Sequence, residues 1–243
     1  NELRQNGGKA KIVFGRIMME KDSKLIVIEG VDSSGKATQS RLLYDHLVSV
    51  GCDVSQVEFP NYDSESSAAV KMYLRGDFGK NPDSVSAYAA SVLFAADRFA
   101  SVRGVWRDKF ESGVVIADRY TTSNMVHQAS KIADPSEKDK FLDWLYDLEY
   151  VKLGLPKPDL TVFLDMPVEY AKQLMKDREN KIDHSRVKDI HESNDDYLFH
   201  AYNNACAVAE KYGWTHIRCV RNGKVRSADD ISAEIMDYAK KIL

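Results

Sequence analysis

A glycine, four residues, a second glycine and a lysine run from Gly30 to Lys36, the spacing a chain needs to hold a phosphate. The glycines let the backbone turn tightly enough for successive N–H groups to face one anion. Lys36 extends toward the outer phosphates, and a helix starting there adds the positive end of its dipole. A glycine pattern alone says little, so its surroundings decide. Before it, Leu25-Ile-Val-Ile reads as a buried strand; after it, Leu42, Leu43, Leu47 and Val50 recur at helical spacing. One position departs from the pattern: Ala37 stands where a Ser or Thr normally offers a hydroxyl to magnesium.

Two further constellations carry chemistry. Asp118-Arg119-Tyr120 closes the apolar run Val114–Asp118, placing it at the carboxyl edge of a sheet, where ligands of open α/β folds bind. An aspartate there can hold magnesium or its waters, and Arg119 can aim a bidentate fork at a phosphate. A structural Asp–Arg pair is the plainer alternative. In the small-residue stretch Tyr88–Arg98, Phe94 and Arg98 stand four apart and share a helix face. A ring with a guanidinium one turn away suits a flat base bearing carbonyls, although a core role for Phe94 satisfies the same spacing.

The elements that must position these groups alternate. Strands are expected at Leu25–Glu29, Asp53–Phe59, Val114–Asp118, Leu160–Asp165 and Thr215–Val220. Helices are expected at Lys36–Val50, Ser66–Leu74, Ser84–Glu111, Thr122–Lys131, Ser136–Leu153, Val168–Arg178, Glu192–Tyr212 and Asp229–Ile242. This order predicts an α/β fold, a five-stranded parallel sheet between helices. Lys176–Glu192 is too polar to pack, with Ile182, Val187 and Ile190 as its only apolar residues. Downstream of a phosphate loop, it reads as a mobile lid over about 177–191.

The 243 residues suit one domain over 23–243, and a net charge of −3 gives no reason to expect nucleic acid or an acidic membrane as partner. Cys52, Cys206 and Cys219 lack ligand spacing and read as reduced thiols of a cytoplasmic protein. His184, His191 and His200 likewise lack metal-ligand spacing. Residues 1–22 differ from the rest and read as a leader or extension, with Met18-Met19 a plausible natural start.

Together these residues resemble one family, the thymidylate kinases. The resemblance runs from about Lys24 to the C-terminus. It comprises the loop Glu29–Gln39, the pair Phe59-Pro60, Leu93–Arg98, Asp118–Ser123 and Gly154–Leu160, in that order. It implies a three-layer P-loop kinase fold that transfers the γ-phosphate of ATP to dTMP, with magnesium, as a homodimer. By this likeness Gly30, Val31, Asp32, Ser33, Ser34, Gly35, Lys36, Ala37 and Thr38 hold the ATP phosphates, joined by Arg178. Asp32, Phe59, Phe94, Arg98, Arg119, Ser123 and Gln128 line the dTMP site, and Asp118 serves the metal. Lys36, Arg119 and Arg186 are the implied catalytic set.

Departures from the family pattern accompany the likeness. Ser33 and Ser34 stand where one type of member has a loop arginine, which points to a lid arginine, Arg186, instead. Tyr62 lies near a position where many members carry an arginine, and His127 replaces a tyrosine common in the sugar pocket. Two rival readings follow from the residues. A deoxynucleoside kinase needs a carboxylate base, for which Glu29 or Asp118 qualifies. A nucleotide-binding homologue weak in catalysis is the rival that Ala37 motivates.

Overall fold

The computed structural model describes residues 23–175 and 195–243. The expected residues 1–22, the lid, Arg178, Arg186, His184 and His191 lie outside the described residues. Five strands, β1 (Lys24–Glu29), β2 (Val54–Glu58), β3 (Val114–Asp118), β4 (Leu160–Asp165) and β5 (Thr215–Arg218), form a sheet ordered β2-β3-β1-β4-β5. Every neighbouring pair is parallel. β1 therefore lies at the centre, and the loop that follows it emerges where the strand order reverses, the crevice in which such sheets bind ligands.

Alternation along each strand builds a core on both faces. Ile26, Ile28, Ile116, Val162, Leu164 and Ile217 meet Leu43 and Leu47 of α1 (Lys36–Ser49) and Ile231 and Ile235 of α8 (Ala228–Ala239). On the other face Leu25, Val27, Val115 and Ala117 meet Phe59, Val102, Phe110 and Tyr120. Burial on both sides is why β1, β3 and β4 read as unbroken apolar runs. Asp159 locks the entry to β4 onto β1, its backbone N–H donating to Leu25 O (2.9 Å) and its carboxylate accepting from Leu25 N (2.8 Å).

Several long helices expected from periodicity are interrupted. Ala87–Arg103 is α3, ending at Gly104, where a Cβ would meet Ala100 O at 2.9 Å; a single 3₁₀ turn, Asp108–Phe110, follows. α2 (Ala68–Leu74) is preceded by a 3₁₀ turn, and α4 (Thr122–His127) is followed by another. α5 (Pro135–Tyr146) runs into a wider π-type turn, Asp147–Lys152, which swings Glu149 into the interior. Such turns concentrate at functional sites. α6 (Val168–Met175) and α7 (Asp195–Lys211) complete the layers. The expected fifth strand stops at Arg218, and Val220–Arg221 (β6) instead pairs antiparallel with Lys224–Val225 (β7). Asn222 and Gly223 both take positive φ (52° and 71°), the geometry of the tight turn favoured in two-residue hairpins.

Candidate active site

The loop after β1 is organised around its own lysine. Gly35 (φ 95°) caps α1 in the left-handed conformation that glycine tolerates best. The Lys36 ammonium donates to Gly30 O (3.0 Å) and Val31 O (2.8 Å), closing the loop into a ring. Gly30 is needed for close approach, since a Cβ there would sit 2.6 Å from Ser34 Oγ and 3.0 Å from Leu164 O. The buried hydroxyls of Ser33 and Ser34 have no hydrogen-bond partner among the described residues. Buried polar atoms are costly unless paired, so a loop with two such hydroxyls and a turned backbone suits an anion's oxygens. Ala37 and Thr38 lie exposed on the first turn of α1.

Burial pulls the Lys36 pKa down to about 8, and the Arg119 charge adds to this against the opposing pull of Asp32, Asp118 and Glu29. For Arg119 burial also acts to lower the pKa, but Asp32, Glu29 and Asp118 outweigh it and drive the value above the ordinary arginine range. Two cations and three carboxylates thus share one electrostatic cluster.

Arg119 reaches this cluster through an unusual backbone. Its φ is 65°, a region that costs a non-glycine residue on the order of 1 kcal/mol, and its N–H donates to Ile28 O (3.1 Å). The turn carries the side chain across the end of β1. Nη2 donates to Asp32 Oδ1 (2.5 Å), Nη1 lies 2.9 Å from His127 Nε2, and Glu29 Oε1 is 3.6 Å away. Glu29 is wholly buried and fully engaged: Oε1 accepts from Gly30 N (2.9 Å), Oε2 from Thr122 Oγ1 (2.8 Å) and Ser123 Oγ (2.7 Å). Ser123, assigned to the acceptor pocket, therefore points its hydroxyl hydrogen at Glu29.

A second cluster lies on α3 and α4. Arg98 is 2% exposed and forms a bidentate pair with Glu149, Nε to Oε2 at 2.7 Å and Nη2 to Oε1 at 2.6 Å. Asn124 donates to Glu149 Oε1 (2.9 Å) and Ser91 O (3.2 Å). Of the five Arg98 guanidinium N–H groups, two point at Glu149. Gln128 is buried, and its Oε1 has no hydrogen-bond partner among the described residues. Phe94 is half-buried, edge-on to Tyr73 with centroids 6.0 Å apart. Phe59 sits in the core against Trp106 (4.8 Å) and Tyr120 (5.4 Å), so its ring shapes the turn that follows.

The contacts thus join Lys36, Asp32, Arg119, Asp118, Ser123 and the phosphate loop at one strand edge. Arg98, Gln128 and Asn124 stand beside them, linked through α4, where Ser123 and Asn124 are neighbours. Sequence reasoning missed three positioning residues. Glu149 is one. Asp97 accepts from Asn61 N (3.0 Å) and Ser66 Oγ (2.6 Å), tying down the chain after Pro60. Tyr197 of α7 reaches His127. Only Asp97 left a signal, a carboxylate beside Arg98 among the small and apolar residues of α3.

A phosphate loop at the switch point of a parallel sheet, facing a strand-end aspartate and the arginine that follows it, defines a P-loop nucleotide kinase. The thymidylate kinase family model matches residues 28–218. The chain belongs to the thymidylate kinase family. It is 34% identical over 169 residues to the thymidylate kinase of Mycobacterium tuberculosis, spanning 69% of this chain and 77% of that protein. It is 34% identical over 156 residues to the Homo sapiens thymidylate kinase, spanning 63% and 66%. The same fold occurs in the thymidylate kinase structure from Candida albicans, with a TM-score of 0.64, 21% identity, and coverage of 90% of this chain and 92% of that one.

Proposed function

We infer that the protein transfers the γ-phosphoryl group of ATP to dTMP, giving dTDP. The observation that carries this reading is the Arg119–Asp32 pair, which sets a second phosphate-binding cation directly beside the loop that holds Lys36. In this reading Gly30 to Thr38 take the ATP phosphates, Arg119 takes the acceptor phosphate, and Phe94, Arg98 and Gln128 take the base. Arg178 and Arg186 supply further positive charge to ATP.

A monophosphate acceptor needs no general base. Its second pKa is near 6, so at neutral pH it is mostly a dianionic nucleophile. The protein's task is alignment and charge neutralisation between two polyanions. A hydroxyl acceptor would instead require a free carboxylate, and both Glu29 oxygens already accept hydrogen bonds. That leaves Asp118 as the remaining candidate base, and it is membership of the thymidylate kinase family that disfavours the deoxynucleoside kinase reading.

Magnesium fits the residues present. Among the described residues no group of three His, Cys, Asp or Glu side chains is arranged to hold a metal, but Mg²⁺ on a nucleotide needs only one or two carboxylates with waters and phosphates. Asp118, buried at the end of β3 within the Lys36 and Arg119 cluster, is the carboxylate that would serve. Held there, the ion would supply positive charge against the charge that develops on the phosphates.

Homodimerisation is proposed through α3, whose outer side exposes Val92 and Phe99. A cytoplasmic setting accords with the three free cysteines; no described helix is long and apolar enough to cross a membrane.

A coupled assay comparing dTMP with thymidine tests the reading. Turnover of dTMP with little of thymidine is expected, lost by a thousandfold or so in Lys36→Ala. Faster turnover of thymidine would overturn it.

A further inference from the structure

We propose that His127 is a positioning residue for the acceptor: its neutral imidazole braces the Arg119 fork and connects it to α7. The inference rests on reading Arg119 as the acceptor-phosphate ligand.

Arginine has donors only, so the 2.9 Å contact from Arg119 Nη1 requires a lone pair on His127 Nε2. The ring is then neutral, with its hydrogen on Nδ1. That hydrogen faces the Tyr197 hydroxyl oxygen at 3.3 Å, and the hydroxyl in turn donates to His127 O at 3.3 Å. The two rings stack with centroids 6.2 Å apart and planes 16° from parallel. Both contacts select one tautomer and one ring orientation.

The guanidinium is thereby held from two sides, by Asp32 at Nη2 and His127 at Nη1. A fork fixed at both ends keeps its geometry when one face meets a phosphate. A long, unbraced arginine on a strained backbone would have to order itself on binding, at an entropic cost. Protonating His127 places N–H against N–H and a cation beside a cation. Among the described residues the charged groups gathered at this point are Arg119 and Lys36 and, across them, Glu29, Asp32 and Asp118, with the Tyr62 phenol also near Arg119; from α7 the titratable group is Tyr197.

The test is steady-state kinetics of the full chain over pH 5.5–8.5 with dTMP varied at saturating MgATP. Leu at 127 (His127→Leu) is expected to raise the dTMP KM about tenfold or more, with the ATP KM within about twofold. His127→Gln, whose side-chain oxygen falls near the Nε2 position, should restore the KM, whereas His127→Asn should not. Wild-type kcat/KM for dTMP should fall at acid pH with two protonations, those of the acceptor phosphate and the imidazole. In His127→Gln it should fall with one. A wild-type KM in His127→Leu, or an unchanged acid limb in His127→Gln, overturns the inference. Arg119→Ala separates the two failures. If it leaves the dTMP KM unchanged, the parent reading of Arg119 is wrong. If it raises the KM while the His127 variants do not, only the role of His127 falls.

Discussion

Binding of ATP should draw a proton from solvent, and the amount is set by Lys36. In the free protein burial and the neighbouring Arg119 hold its pKa at about 8. A lysine of that pKa is about one-tenth neutral at pH 7 and about three-quarters neutral at pH 8.5. A triphosphate against the ammonium restores the charged form, so about 0.7 to 0.8 proton should be taken up per ATP bound at pH 8.5. Apparent affinity should weaken roughly fourfold from pH 7 to 8.5 and roughly tenfold by pH 9. This window also lies above the terminal titration of the nucleotide, which keeps its own proton out of the balance.

The assay is calorimetry of a non-hydrolysable ATP analogue with magnesium, repeated in buffers of different ionisation enthalpy. Lys36→Arg, which stays charged, is the control and should show little uptake. Lys131, also pushed down to about 8 by burial, donates to Tyr73 Oη and Val85 O and remains in both proteins. Its titration therefore cancels between wild type and control. Uptake below about 0.2 proton at pH 8.5, or equal uptake in Lys36→Arg, would refute the reasoning. The same shift has a stability consequence. The folded pKa lies below the ordinary 10.5, so between pH 8 and 10.5 the unfolded chain holds more protons and Lys36 makes stability rise with pH.

Gly30→Ala sets a Cβ against the fixed Leu164 carbonyl as well as the Ser34 hydroxyl; ATP affinity should fall at least tenfold, with about 1–3 kcal/mol lost in urea unfolding. Glu149→Ala leaves the Arg98 guanidinium buried and unpaired, so thermal and urea denaturation should report a loss of about 3–5 kcal/mol. Ala37→Ser adds a hydroxyl on the exposed first turn of α1, where nothing is displaced; half-saturation by magnesium in the kinase assay should fall several-fold at unchanged stability.

What was readable in the chain, and what was not, follows from the range of the interactions. β1, β3 and β4 were legible because two-sided burial writes itself into consecutive apolar residues. β2 and β5, mixed in polarity, were legible only from the alternation with helices, and the phosphate loop because its backbone geometry demands glycines at fixed offsets. The hairpin was legible too: Asn222-Gly223 between Val220-Arg221 and Lys224-Val225 is a turn signal, but a strand drawn from Thr215 to Val220 absorbed its first residue. Arg98 was half legible. Its spacing from Phe94 puts both on α3 one turn apart, yet its partner Glu149 lies 51 residues away on a π-type turn that no periodicity marks. The conformation of Arg119 was not legible at all, because a positive φ at an arginine is imposed by its surroundings rather than by its own preference.

Charge gives the physical reason why such a site takes elements from beyond the sheet edge. The described cluster holds two cations, Lys36 and Arg119, against three carboxylates, Glu29, Asp32 and Asp118, a balance of 2 − 3 = −1. A crevice of that sign cannot by itself draw two polyanionic nucleotides end to end. The carboxylates instead hold the cations in place while the site waits for substrate: Asp32 and Glu29 fix the fork of Arg119, and the Gly30 and Val31 carbonyls fix Lys36. Under the proposed function, further positive charge would come with the substrates, as magnesium on ATP, or from Arg178 and Arg186. Catalysis in such an arrangement is gated by assembly. The preorganised part sets geometry, and the charge that makes transfer favourable is completed only when both nucleotides are bound.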